Sequence, residues 1–291
     1  FMVITPNISR LEYTRGRDGV KYFELTAEPV TREVLPGLFI KGWGYNGSIP
    51  GPCIQVCTGD NCRIRLYNRL TSDTSLEFLG LSLPFAETEG STPRRVAPGG
   101  YIDYSFRVRS QPGTHIYRPG INTIVQLNKG MCGNFIILSS DDNVCRDYSL
   151  MLQSFKCPSL RPGETPEGSF DIDPYADDRN LFCINGRCYP HTESMKTCYG
   201  DSCRIRFSSG SSIEHPMHLN GHRYTVTAYD GCRLSQRVPR NILSMSCGQT
   251  CDIMVNTNNP GNWLCASSVP KQSSNNFSLE TGGMCCGFDY L

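Results

Sequence analysis

The sequence predicts an all-β chain built as two tandem β-sandwich domains. Three observations lead there: a long internal repeat, short alternating apolar runs between turn residues, and no long stretch of apolar residues at helical spacing. The repeat is plainest where Cys57-Thr58-Gly59-Asp60-Asn61-Cys62-Arg63-Ile64-Arg65-Leu66 matches Cys198-Tyr199-Gly200-Asp201-Ser202-Cys203-Arg204-Ile205-Arg206-Phe207. It continues in order. Glu77-Phe78-Leu79-Gly80 parallels His218-Leu219-Asn220-Gly221, and Ile102-Asp103 parallels Cys251-Asp252. Gly130-Met131-Cys132 parallels Gly283-Met284-Cys285. Matches kept in register over this length mark duplication of a whole unit.

Within each unit the runs read as strands. Arg63-Ile64-Arg65-Leu66-Tyr67 and Tyr101-Ile102-Asp103-Tyr104-Ser105-Phe106 alternate polar and apolar, which is the period of a half-buried strand. Gly, Pro, Asn and Asp clusters separate the runs. The segment from Pro158 to Arg179, rich in Pro, Gly and acidic residues, reads as a linker. The expected division is a first domain over 1–157 with an N-terminal extension, a linker over 158–179 and a second domain over 180–291.

Composition narrows the function classes. A net charge of +1 gives no field that would attract nucleic acid or anionic lipid, and no apolar run is long enough to span a bilayer. Sixteen cysteines, without a zinc-type spacing, point to disulfides and an oxidising, extracellular setting. The pairs flanking turns, Cys57 with Cys62, Cys198 with Cys203, and Cys247 with Cys251, are the disulfide candidates. Asn7, Asn46 and Asn276 head Asn-x-Ser sequons, so they are the candidate glycan acceptors. The first residues, Phe1 to Pro6, lack the charged and apolar regions of a signal peptide, so an exported protein is expected here in processed form. Asp141-Asp142 and Asp171-Ile172-Asp173 are acidic loop segments, read as solvated rather than calcium-binding.

The segments Tyr45-Asn46-Gly47-Ser48-Ile49-Pro50-Gly51-Pro52, Gly59-Asp60 to Leu70 and His215-Pro216-Met217-His218-Leu219-Asn220-Gly221-His222 resemble the multicopper oxidase (laccase-like) family. The resemblance covers most of the chain. It implies two cupredoxin-like Greek-key β-sandwiches and, in the family, oxidation of phenols, amines or metal ions coupled to dioxygen reduction. It also implies histidine and cysteine copper ligands, and here the chain departs from the pattern.

In the first unit the family's two His-x-His motifs read Glu77-Phe78-Leu79 and Arg118-Pro119-Gly120. His115 is out of step and is expected on a strand or turn surface. Glu77 and Arg118 are expected to pair in the vacated space. In the second unit His215 stands at a blue-copper histidine, His218 at a cluster histidine and Met284 at the axial methionine. Asn220 and Ser267 replace a histidine and the thiolate cysteine. His222 matches a histidine that is not a ligand, and Cys265 sits two places early.

This count leads to the expectation of no enzyme, no catalytic residue and no cofactor, with His215, His218 and Met284 as remnants able to hold stray copper only weakly. The function expected is then a secreted, disulfide-rich structural or scaffold protein that self-associates into a homo-oligomer, coat or filament. Two alternatives stand beside it: an extracellular glycan- or protein-binding module, and a copper oxidoreductase with an atypical site.

Overall fold

Among the described residues four sheets make two sandwiches, as the repeat predicts. The computed structural model describes residues 2–81, 83, 94–139 and 143–291; Asp141 and Asp142 lie outside them. In the first sandwich, β1 (Thr14–Arg15), β2 (Lys21–Leu35), β3 (Leu38–Tyr45), β5 (Asn61–Asn68) and β7 (Tyr101–Arg107) share one sheet. The facing sheet holds β4 (Ile54–Cys57), β6 (Glu77–Leu79), β8 (Gly113–Arg118) and β9 (Gly133–Leu138) in the order β4-β9-β8-β6. One short helix, α1 (Thr123–Asn128), connects β8 to β9.

Alternation decides which side of each strand is buried. In β5 the inward residues Cys62, Ile64 and Leu66 join Leu25, Ile54, Val56, Phe135 and Ile137 in the first core. Arg63 and Arg65 point the other way. Each fully buried side chain of this size contributes roughly 1.5–3 kcal/mol of transfer free energy.

The second sandwich pairs a six-stranded sheet with a five-stranded one. The first contains β10 (Arg146–Phe155), β12 (Leu181–Ile184), β14 (Ser202–Ser209), β16 (Tyr224–Tyr229), β17 (Cys232–Arg240) and β19 (Thr250–Asn256), ordered β12-β10-β14-β19-β16-β17. The second contains β13 (Met195–Thr197), β15 (His215–Leu219), β18 (Ile242–Met245), β20 (Asn262–Ser267) and β21 (Cys285–Tyr290), ordered β13-β21-β20-β15-β18.

Two strands lie in the sheet of the other sandwich from the one their place in the chain suggests. Strand β10 runs parallel to β14, with Arg146 opposite Cys203 and Leu152 opposite Ser209. Conversely, β11 (Gly168–Asp171), inside the expected linker, pairs with β3 of the first sandwich. The composition of 158–179 describes a loop-rich segment, but backbone hydrogen bonding ties it to a sheet edge.

The two sandwiches are joined by a core of their own. Val34, Leu38, Ile40 and Ile49 from the first pack with Phe155, Cys157, Leu181, Cys183 and Cys188. The N-terminal segment also bridges them. Ile4 N donates to Asp147 O on β10, while Leu11 N donates to Cys53 O of the first sandwich. The described residues before Tyr22 thus make backbone contacts with both sandwiches of their own chain.

The turn-flanking cysteines are placed differently from expectation. Strands β4 and β5 belong to different sheets, and so do β13 and β14, and β18 and β19. The turns at Gly59-Asp60, Gly200-Asp201 and Gly248 are corners between sheets, not hairpins. In each pair one thiol enters a core (Cys62, Cys203, Cys251) while its neighbour Cys57, Cys198 or Cys247 stays at the surface end of the corner. A cross-strand bridge between facing Cβ atoms does not follow from this geometry.

Candidate functional site

Strand β15 sets the site by alternation. His215, Met217 and Leu219 point into the core, and Pro216 and His218 point out. His215 and His218 therefore lie on opposite faces of one strand and cannot serve one metal ion.

His215 is fully buried. Its Nδ1 lies 2.9 Å from Gln272 Oε1, which also accepts from Ser267 Oγ at 2.8 Å. Gln272 Nε2 donates to Glu214 O, which turns Oε1 toward the imidazole. An amide oxygen can only accept, so Nδ1 carries the proton and Nε2 keeps the lone pair. That Nε2 is buried without a hydrogen-bond partner. Burial lowers the His215 pKa to about 4, and the ring is neutral near pH 7. Met284 closes the knot through its backbone: its N donates to Gln272 O and its O accepts from Ser267 N.

The structure thus gathers His215, Ser267 and Met284, which the repeat and the resemblance singled out, and adds Gln272, which they did not. Cys265 stands opposite Cys286 on β21. His218 lines a separate open depression with Asn220, Gly221 and Arg223, and its Nδ1 is buried without a partner. His222 is structural: its nitrogens face Asn220 O at 3.0 Å and Tyr290 Oη at 2.7 Å, and its ring packs on Trp263 and Phe288.

The corresponding place in the first sandwich holds an ion pair. Arg118 on β8 is registered opposite Glu77 on β6, as the resemblance suggested. Leu79 and Arg118 line a depression closed by Ser246 to Thr250 of the second sandwich, away from His218. His115 is corrected: it is buried, its Nδ1 is 3.2 Å from Leu79 O, and its ring lies against Gly231 of the other sandwich. Every position of the short strand β8 from Gly113 to Tyr117 is buried, because its sheet faces the first core on one side and the second sandwich on the other.

A second polar group was missed by reading the sequence and could have been found from the repeat. Arg65 faces Asp103 across β5 and β7, and their equivalents Arg206 and Asp252 face each other across β14 and β19. The first pair is half-exposed. The second is buried where the sandwiches meet: Arg206 also donates to both Asp147 carboxylate oxygens and to Thr114 Oγ1. Burial pushes the Asp147 pKa up, but Arg206 and Arg204 outweigh it and hold the carboxyl below its usual range.

Asn276 is also corrected. It is fully buried, and its Nδ2, where a glycan would attach, donates to Arg161 O and Glu164 O. Asn46 is exposed, and Asn7 is half-buried.

A blue copper centre needs two imidazoles, a thiolate and a weak axial thioether. The residues do not fit it: Ser267 supplies a hydroxyl, Gln272 an amide, and Nδ1 of His215 is already engaged. Among the described residues no three His, Cys, Asp or Glu side chains gather as a metal site. An imidazole lone pair and a buried thioether remain.

Comparison with known proteins settles the family. Residues 27–142 and 162–279 each match a multicopper oxidase family profile. The chain is 28% identical over 229 residues to a multicopper oxidase of Staphylococcus aureus, covering 73% of this chain and 50% of that protein. It is 26% identical over 273 residues to laccase-1 of Cryptococcus neoformans, covering 81% and 43%. The chain therefore spans half or less of the length of these relatives. The blue copper oxidase from Nitrosomonas europaea superposes with a TM-score of 0.80 at 24% identity, over 92% of this chain and 85% of that one. These findings overturn the expectation of a non-enzyme without cofactor, because the relatives of both halves are named as oxidases and the family's cofactor is copper. The chain belongs to the multicopper oxidase family.

Proposed function

We propose that the chain is a copper oxidoreductase with an atypical site in its second sandwich, with His215 as the imidazole donor. The observation that carries this reading is the buried, neutral His215, whose Nε2 lone pair has no partner while Gln272 fixes the tautomer. Imidazole and thioether are donors that copper accepts, above all as copper(I). Within the protein, Gln272 and Ser267 orient the ring, and the core around Met217, Met245 and Met284 excludes water. The test is elemental copper analysis of the natively purified protein, with dioxygen uptake on a phenolic substrate. Copper bound in wild type and lost in His215→Phe supports the reading. Copper-free protein, or copper retained by the variant, sinks it.

An extracellular setting is part of the proposal. It is supported by sixteen cysteines and by the exposed sequon at Asn46. Among the described residues no helix is long and apolar enough to cross a membrane. Self-association is also part of the proposal, through β17, an exposed strand at the edge of its sheet. Size-exclusion chromatography with light scattering tests it, and a concentration-independent monomer would remove it.

A further inference from the structure

Strand β12 ends in a two-residue hairpin. Asn185 and Gly186 both have positive φ, 51° and 71°, as a tight Asn-Gly turn requires. Ile184 and Arg187 exchange both backbone hydrogen bonds across it. The next pair outward, Cys183 and Cys188, is then a non-hydrogen-bonded pair, the position where facing side chains come closest. Their Sγ atoms are 3.1 Å apart, and both residues are fully buried. The first repeat has the same turn at Asn46-Gly47, flanked by Gly44 and Ile49. Paired thiols are thus a feature of the second hairpin and not of the duplicated fold.

This hairpin is also where the second sandwich grips the first. Cys188 N donates to Val34 O. Arg32 donates to the carbonyls of Asn185 and Gly186, and Arg187 to the Glu33 carboxylate. Asn185 Nδ2 donates to Pro6 O of the N-terminal segment. The two sulfurs lie in the core shared by the sandwiches.

We propose that Cys183 and Cys188 form a disulfide that locks this hairpin and thereby fastens the two sandwiches together. The S–S bond forms by exchange with a disulfide oxidant such as glutathione disulfide. The two thiols give up two electrons and two protons, and the oxidant's own S–S bond breaks to two thiols. The closed loop is short, so the bond acts mainly on local shape. Burial and the neighbouring sulfur hold the Cys183 thiol well above its ordinary pKa. The attacking thiolate is therefore scarce in the folded protein, and exchange awaits opening of the hairpin.

Trypsin cuts after Arg179, Arg187 and Lys196, which puts the two cysteines on separate peptides, 180–187 and 188–196. The full chain is held with glutathione disulfide at its denaturant midpoint, returned to buffer, alkylated in guanidinium and mapped without reduction. The expected product is the two peptides joined, lighter by two hydrogens than their sum and separated by reductant. Recovery of both peptides alkylated, or of either joined to the peptide carrying Cys157, overturns the bond. The fastening role is read from melting. Wild type should melt lower with reductant, and Cys183→Ala/Cys188→Ala should not respond. A wild-type transition indifferent to reductant overturns that role.

Discussion

Arg118 Nε donates to Glu77 Oε1 at 2.6 Å from the position directly opposite on the neighbouring strand. The contact joins neighbouring strands β6 and β8 through side chains as well as backbone. Both side chains are about a quarter to a third exposed, at 23% and 32%. A double-mutant cycle with Glu77→Gln and Arg118→Gln should therefore give a coupling of about 1 kcal/mol in urea denaturation. Strict additivity would show that the contact contributes nothing.

Arg206 should be far less tolerant than its repeat equivalent Arg65. Removing it leaves Asp252 buried without its guanidinium partner and Asp147 with Arg204 alone. Arg206→Met is expected to cost about 3–5 kcal/mol. Arg65→Met, at a surface pair, should cost little. Equal urea midpoints for the two variants would contradict the assigned burial difference.

His215 predicts a specific acid sensitivity. Its pKa falls from 6.5 to about 4 on folding because burial disfavours the charged ring. The folded state binds the proton less well, so this contribution is complete above pH 6.5 and is lost as pH falls toward 4. The full effect is on the order of 3 kcal/mol. His115, also lowered by burial, acts in the same direction. In guanidinium titrations across this window, His215→Leu should show a flatter pH profile than wild type. An unchanged slope would place the titration elsewhere.

Ser267→Cys with Gln272→His would place a thiolate and a second imidazole beside His215. Copper(II) added to this double variant should give an intense blue absorption absent from wild type. A colourless, copper-binding variant would mean that the backbone frame does not hold these positions in coordinating geometry.

Asn276→Ala should destabilise by about 1–3 kcal/mol, since it removes the hydrogen bonds of a fully buried side chain to the Arg161 and Glu164 carbonyls and to the Asn180 amide. Glycopeptide mapping of material from a glycosylating host should find Asn276 unmodified.

The sequence was informative where periodicity and repetition carry the information. The alternation in Arg63-Ile64-Arg65-Leu66 gives β5 and its buried face, and the repeat gives the second sandwich. The Glu77–Arg118 pair followed from two motifs expected to converge. Gln272 did not, because it comes from a turn segment after β20 with no period and reaches His215 only through tertiary folding. The same limit affected the cysteines: a Gly-Asp turn reads alike whether it closes a hairpin or carries the chain to the opposite sheet. Glycan acceptance at Asn276 failed for a related reason, since a sequon is silent on burial.

Strand β10 has a final consequence. It follows β9 of the first sandwich in sequence, yet lies between β12 and β14 in the second. A chain severed after Cys157 would leave its C-terminal fragment with two unsatisfied strand edges and its N-terminal fragment with a strand that has no sheet. The two pieces, made separately, are built to find one another by strand complementation. A cut before Arg146 would instead keep β10 with β12 and β14, at the cost to the first sandwich of its edge strand β11.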